Sequence, residues 1–142
     1  MRLAHTFTTL VALAVYSGAA LSQTALYTVS SKAQGASFDL VVTEIKRDPQ
    51  RSYLRVPGFH TRTAPGARWL MCAYTDLSIK RGFSHWAVMY PEEKNDVLVV
   101  GFSNSGSTSP RELFGPEFDK ERVLGEEMMP VTKLLAFCGM KR

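Results

Sequence analysis

Two cysteines, Cys72 and Cys138, are the only ones in the chain, and nearly half of the sequence lies between them. Their redox state constrains the fold more than any other feature. Joined, they fasten the segment around residue 72 to the C-terminus and close a long loop, which the chain-entropy treatment values at about 4 kcal/mol. That is a large part of the roughly 5–15 kcal/mol by which a domain is normally stable. The competing roles are a reactive thiol or a metal thiolate. Neither cysteine sits in a CxxC pair or near a cysteine and histidine cluster, which those roles require. The outcome then depends on the compartment, because paired thiols oxidise in exported chains and stay reduced in the cytosol.

The N-terminus speaks for export. Arg2 precedes an acid-free run, Leu3 to Leu21, whose centre is "TTLVALAVYSGAAL"; Ala20 and Ser22 then occupy the −3 and −1 positions of a cut before Gln23. A basic start, a short apolar middle and small residues at the cut make a secretory signal peptide. A membrane anchor would need roughly 20 predominantly apolar residues, and Thr and Ser interrupt this shorter run. No cysteine stands at the cut, so no lipid anchor is offered. The expectation is a signal peptide at 1–22, one domain at 23–142, a secreted or periplasmic location and no stable membrane anchor.

The formal charge is +4, from 17 Lys and Arg against 13 Asp and Glu. Removal of Arg2 lowers it by one. The cations are scattered through the chain, which describes a solvated surface better than an anion-binding stripe. No nucleic-acid motif accompanies them, so nucleic acid is not an expected partner.

Along the chain, "QTALYTVSSKAQGA" (23–36) predicts a short edge strand and a loop. "SFDLVVTEIK" (37–46) predicts a strand, mostly buried, with Phe38, Leu40, Val42 and Glu44 on one face and Val41, Thr43 and Ile45 on the other. "RDPQ" is turn chemistry, and "RSYLRVP" (51–57) makes the second strand of a hairpin. Thr63 is placed to cap a helix with Pro65 in its first turn. The helix over 68–81 presents Trp69, Cys72, Ala73 and Leu77, flanked by Leu70 and Tyr74, and ends in Lys80, Arg81 and the capping Gly82.

"FSHWAVMYP" (83–91) alternates as a strand, and "VLVVGF" (97–102) is a near-continuous apolar run suited to a strand covered on both faces. Between them "EEKND" is a charged turn, so the two form a hairpin. Ser109-Pro110 opens a short helix over "PRELFG". Residues 116–129 predict loops and turns, and Pro130 to Phe137 a final helix burying Val131, Leu134, Leu135 and Cys138. The sum is an α+β chain with an antiparallel sheet of about four strands (ββ-α-ββ-α) and helices packed on one face. Cys72 and Cys138 would then staple the two helices on that face.

The succession "CAYTDLSIKRGF" into "SHWAVMYP", residues 72 to 90, resembles small bacterial envelope proteins, many of them lipoproteins, in which a helix ends in Gly-Phe or Gly-Tyr ahead of an aromatic and Val. The chain departs from the lipoprotein members by lacking their lipid-attachment cysteine. The resemblance implies an envelope location and a helix-to-strand fold, and it carries no catalytic residues across.

Three constellations could carry chemistry. After leader removal only His60 and His85 remain as histidines, too few for a zinc site with local ligand spacing, so no metal or cofactor is expected. "GFSNSG" (101–106) has the look of a nucleophile elbow, but Ser105 stands where the last Gly of G-x-S-x-G belongs and no helix follows directly. Glu92, Glu93 and Asp96 are turn residues, and Glu126-Glu127 flank a glycine, so no carboxylate pair stands out for glycoside hydrolysis.

The leading expectation is therefore a non-enzymatic exported domain that works by contact with another protein, as an inhibitor, an immunity-type protein or an accessory envelope protein. Two loops are the expected contact surface: 57–64 with Phe59, His60 and Arg62, and 103–109 with Asn104 and Ser105. The alternatives are a small secreted hydrolase using His60 or His85 with a nearby Ser or Asp, and a secreted virulence effector of a eukaryotic pathogen.

Overall fold

The computed structural model describes residues 26–141. The expected leader and its cut at Ser22-Gln23 lie outside them. Six strands form one antiparallel sheet in the order β1-β2-β3-β5-β4-β6. They are β1 (Thr28–Ser30), β2 (Val41–Arg47), β3 (Arg51–Arg55), β4 (His85–Met89), β5 (Val97–Ser103) and β6 (Met129–Pro130). The helices are α1 (Ala64–Lys80), α2 (Pro110–Phe114) and α3 (Val131–Leu134). The α+β class stands, but the sheet has six strands rather than about four: the short edge strand expected within 23–36 forms as β1, and a two-residue strand joins the other edge. The two-residue β6 was expected as loop or helix start, and its ladder is a pairing of Pro130 with His85 and Met129 with Trp86.

Both hairpins form as expected, β2 with β3 and β4 with β5. Pairing of β3 with β5 then places "VLVVGF" inside the sheet. Covering on both faces explains its continuous apolarity: Leu98, Val100 and Phe102 point to the α1 side, while Val99 joins Ala87, Met89 and Phe114 on the other. On that second side α2 sits directly over Gly101. A Cβ at Gly101 would collide with Leu113 and come within 3.2 Å of the Phe114 ring. The expectation of helices on one face is thus corrected, since α1 and α3 cover one face and α2 the other. A glycine inside a strand that lets another element approach closely is the physical reason.

The main helix begins where its cap chemistry puts it. Thr63 Oγ1 accepts from Gly66 N at 3.3 Å, and Pro65 lies in the first turn. It ends as Gly82 takes a φ of 80°, with Phe83 N donating to Ser78 O, the left-handed stop that glycine permits at little cost. The buried stripe is Leu70, Ala73, Tyr74 and Leu77, at helical spacing. Trp69 and Cys72, expected at its centre, lie half-buried on its flank. The final helix is shorter than expected, α3 giving way to turns after Leu134.

The core between α1 and the sheet is satisfied at nearly every polar atom. Trp86 Nε1 donates to Thr75 Oγ1 at 3.1 Å, and Ser78 Oγ donates to the Tyr74 carbonyl. Among the described residues one group stands apart: the Tyr74 hydroxyl is buried without a hydrogen-bond partner there, and burial pushes its pKa above the usual phenol range. An orphaned buried hydroxyl costs desolvation with no return. Tyr74→Phe should therefore raise stability by about 1 kcal/mol, with the ring still packed edge-on against Trp86 at 5.4 Å. A denaturation midpoint that falls instead would show that the hydroxyl has a partner.

Candidate interaction surface

The two loops expected to make contacts sit at opposite ends of the β4–β5 hairpin and do not form one patch. Loop 57–64 packs at the Tyr90 end, and loop 103–109 follows Ser103, which pairs with His85 at the other end. Phe59 is 3% exposed and belongs to the core, so its place among the contact residues is corrected. Turn residues around it had hidden an anchor: the chain turns through Gly58 at φ 79° and drops the ring inward against Tyr90 at 5.1 Å.

His60 and Arg62 hold that loop in place. His60 Nε2 lies 3.0 Å from the carbonyl of Glu92 and 2.8 Å from that of Asn95, tying the charged turn to loop 57–64. The Arg62 guanidinium lies 3.8 Å from the centre of the Phe59 ring and donates to the Phe59 carbonyl at 2.7 Å. Both remain accessible at their outer edges.

Loop 103–109 is organised by its own hydroxyls. Asn104 Oδ1 accepts from Ser84 N at 3.0 Å, and the Ser105 and Ser107 hydroxyls stand 2.8 Å apart. Beneath it Ser84 Oγ is 2.8 Å from His85 Nδ1. A methyl group on Gly106 would stand 3.1 Å from His85 Nε2, so the loop backbone covers that nitrogen. A serine and histidine in contact are two members of a hydrolytic triad, which also needs an acid to orient the imidazole. Among the described residues no carboxylate is hydrogen-bonded to His85, and no group of three His, Cys, Asp or Glu could hold a metal.

The strongest electrostatic feature is internal and was only glimpsed in the sequence. Glu44 is 2% exposed. The β2–β3 register slips between Glu44 and Lys46, so Ile45 and Lys46 both face outward and Arg47 returns to the Glu44 side. Such a bulge re-aims a side chain that strict alternation would send the other way. Arg47 donates to both carboxylate oxygens at 2.8 and 2.7 Å, Ser52 Oγ donates at 2.6 Å and the Tyr27 amide at 2.9 Å. Burial alone would raise this carboxyl, but these donors and the Arg47 charge outweigh it and hold the pKa below its ordinary value. Arg81, one residue past α1, reaches down beside this cluster. It donates to Ser52 Oγ and to the carbonyls of Asp48, Pro49 and Arg51. The cluster locks the hairpin to the end of the helix.

Elsewhere on the surface lies a groove of about 630 Å³ between β1, α1 and the C-terminal segment. Cys72 and Cys138 form its disulfide wall, with Cα atoms 5.5 Å apart. Trp69 and Asp76 of α1, Tyr27 ahead of β1, and Phe137 near the C-terminus line it. Asp76 accepts from the Tyr27 hydroxyl and from Lys80, each at 2.9 Å, and the Lys80 ammonium stands 5.2 Å from the Tyr27 ring centre. Burial and the neighbouring Asp76 push the Tyr27 phenol well above its ordinary pKa, so it stays a donor. Phe137 is 55% exposed, more than any other large apolar side chain among the described residues. The expected contact loops did not include this region; the signal was Trp69 and Phe137 flanking the two cysteines in sequence.

No known family's model matches the chain, and neither a curated protein nor a solved structure matches it.

Proposed function

We propose that this chain is an exported, disulfide-braced α+β domain that works by holding another protein outside the cytoplasm, as an inhibitor, an immunity-type protein or an accessory envelope protein. The observation that carries the reading is the bond between Cys72 and Cys138, which calls for an oxidising compartment and agrees with a signal peptide at 1–22. The described residues contain no helix long and apolar enough to cross a membrane. Support for a binding role comes from how the chemically able side chains are used. His60, Arg62, Glu44 and Arg81 hold loops and ends together, while aromatic side chains stay open to solvent beside the disulfide.

The test is to express the full chain with its own leader in an exporting host and analyse what is released. The expected product begins at Gln23, carries no free thiol by mass spectrometry, and retains one stoichiometric protein from an envelope or extracellular extract of its source. A product that stays in the cytoplasm with both thiols free, or one that captures no protein across several conditions, would overturn the reading. Turnover of a broad hydrolase substrate panel, abolished in His60→Ala or His85→Ala, would instead establish the hydrolase.

A further inference from the structure

We infer that the partner is gripped through strand addition: an extended segment of the partner protein pairs with the open edge of β1 and lays alternate side chains, apolar and acidic, into the groove under α1. The inference rests on the binding role proposed above and names its site and its ligand chemistry.

β1 is the first strand of the sheet and has a neighbour on one side only. Antiparallel pairing alternates the direction of backbone groups along a strand. The amide of Glu44 donates to the Tyr27 carbonyl and that of Ser31 to the Leu40 carbonyl, so in the register of Val29 with Val42 the odd-numbered residues of this strand turn their backbone toward β2. Thr28 and Ser30 consequently aim theirs outward, one repeat of a ladder that an incoming strand completes. Native edges are commonly blunted by proline, an inward charge or a covering loop; β1 is short, but among the described residues nothing is paired to its outer side.

Side chains of Tyr27 and Val29 point to the α1 side, where they form the near wall of the groove. The far wall is a single stripe of α1, Trp69, Ala73, Asp76 and Lys80, at helical spacing. An added strand would therefore face this wall with every second residue, as peptides do when they extend a sheet beside a helix. Trp69 and Met140 with the exposed Phe137 supply the apolar surface. Charge selects the rest. The Asp76 charge is already offset by Lys80, and its carboxylate also accepts from the Tyr27 hydroxyl, whereas Arg68 is exposed and forms no ion pair among the described residues. Among the described residues the groove thus carries one uncompensated positive charge, and it prefers a carboxylate.

The test selects random linear peptides displayed on phage against the full exported protein, then measures the enriched peptides by fluorescence anisotropy. Enriched sequences should place apolar residues and Asp or Glu at every second position. Thr28→Pro, which removes one outward amide and none of the β1–β2 ladder, should weaken them about tenfold or more, and Thr28→Ala should not. Arg68→Glu should turn the selection toward Lys and Arg. Near-ultraviolet circular dichroism checks each variant, and should Thr28→Pro not fold, Arg68→Glu decides alone. Peptides that bind all variants equally, or a selection that enriches no alternating acidic sequence, would overturn the inference. So would sedimentation showing a dimer that Thr28→Pro dissociates, because the occupant would then be a second copy. A protein partner captured from extract and held undiminished by both Thr28→Pro and Arg68→Glu overturns this site while leaving the binding role intact; failure to capture any partner removes the role itself.

Discussion

Reducing the single disulfide, or replacing both of its cysteines by serine, should cost about 4 kcal/mol of stability and lower the melting temperature by about 15 °C. The bond spans a sequence separation of 66, so in the unfolded chain it removes the freedom of a loop that contains half of α1, the β4–β5 hairpin and α2. Native contacts alone hold the C-terminal segment weakly. α3 is four residues long and buries Val131 and Leu134, after which Cys138 is the next firm attachment to α1. Two measurements separate the consequences. Urea denaturation with and without reductant gives the change in stability, and amide hydrogen exchange shows where protection is lost. Protection should fall first after Leu134 and along the groove wall formed by Phe137 and Met140, and only later in β4 and β5. An unchanged urea midpoint under reducing conditions would contradict the loop-entropy account, and uniform loss of protection would contradict the local one.

The same bond illustrates what a single chain permits one to read. The pairing of Cys72 with Cys138 followed from compartment and number, and α1 followed from its boundaries: Thr63 and Pro65 at one end, Gly82 at the other. Both are local rules, and the apolar run of β5 and the two hairpins also carry their own signature in period and turn chemistry. What escaped reading depends on distant pairing. β6 is two residues whose strand character exists only because β4 lies beside it. The position of α2 on the second face was encoded in Gly101, yet a glycine in a strand has several meanings until the helix that needs the space is known.

The interaction surface was harder still. Loops rich in Gly, Ser and charge are ordinarily open, and that rule put Phe59 on the outside; its ring is instead the pin that seats loop 57–64. The groove, in contrast, is assembled from Tyr27, Trp69 and Phe137, three aromatic residues spread over most of the chain. No periodicity unites them, and only the fold of the tail against α1 brings them together.

Removing the Glu44 carboxylate should destabilise the sheet severely. Its four donors come from Arg47, Ser52 and the Tyr27 amide, and Glu44→Ala would leave Ser52 and that amide without an acceptor. It would also leave Arg47 and Arg81 without the carboxylate between them. Burial and the nearby Arg47 charge already depress the Arg81 pKa, and Glu44 opposes that effect. Breaking a buried, hydrogen-bonded pair in this way costs about 3 kcal/mol or more. Glu44→Gln should cost less, because it keeps an acceptor and the shape, and it should remove the share of the acid sensitivity that Glu44 supplies. The folded-state pKa of Glu44 lies below its ordinary value of 4.5. The unfolded chain therefore takes up the proton first, and the stabilisation is complete above that value. It is lost progressively as the pH falls through the unfolded and then the folded pKa. Urea midpoints of the native sequence should thus decline below about pH 5, with a shallower decline in Glu44→Gln. Parallel curves for the two proteins would show that the carboxylate does not draw its stability from its charge.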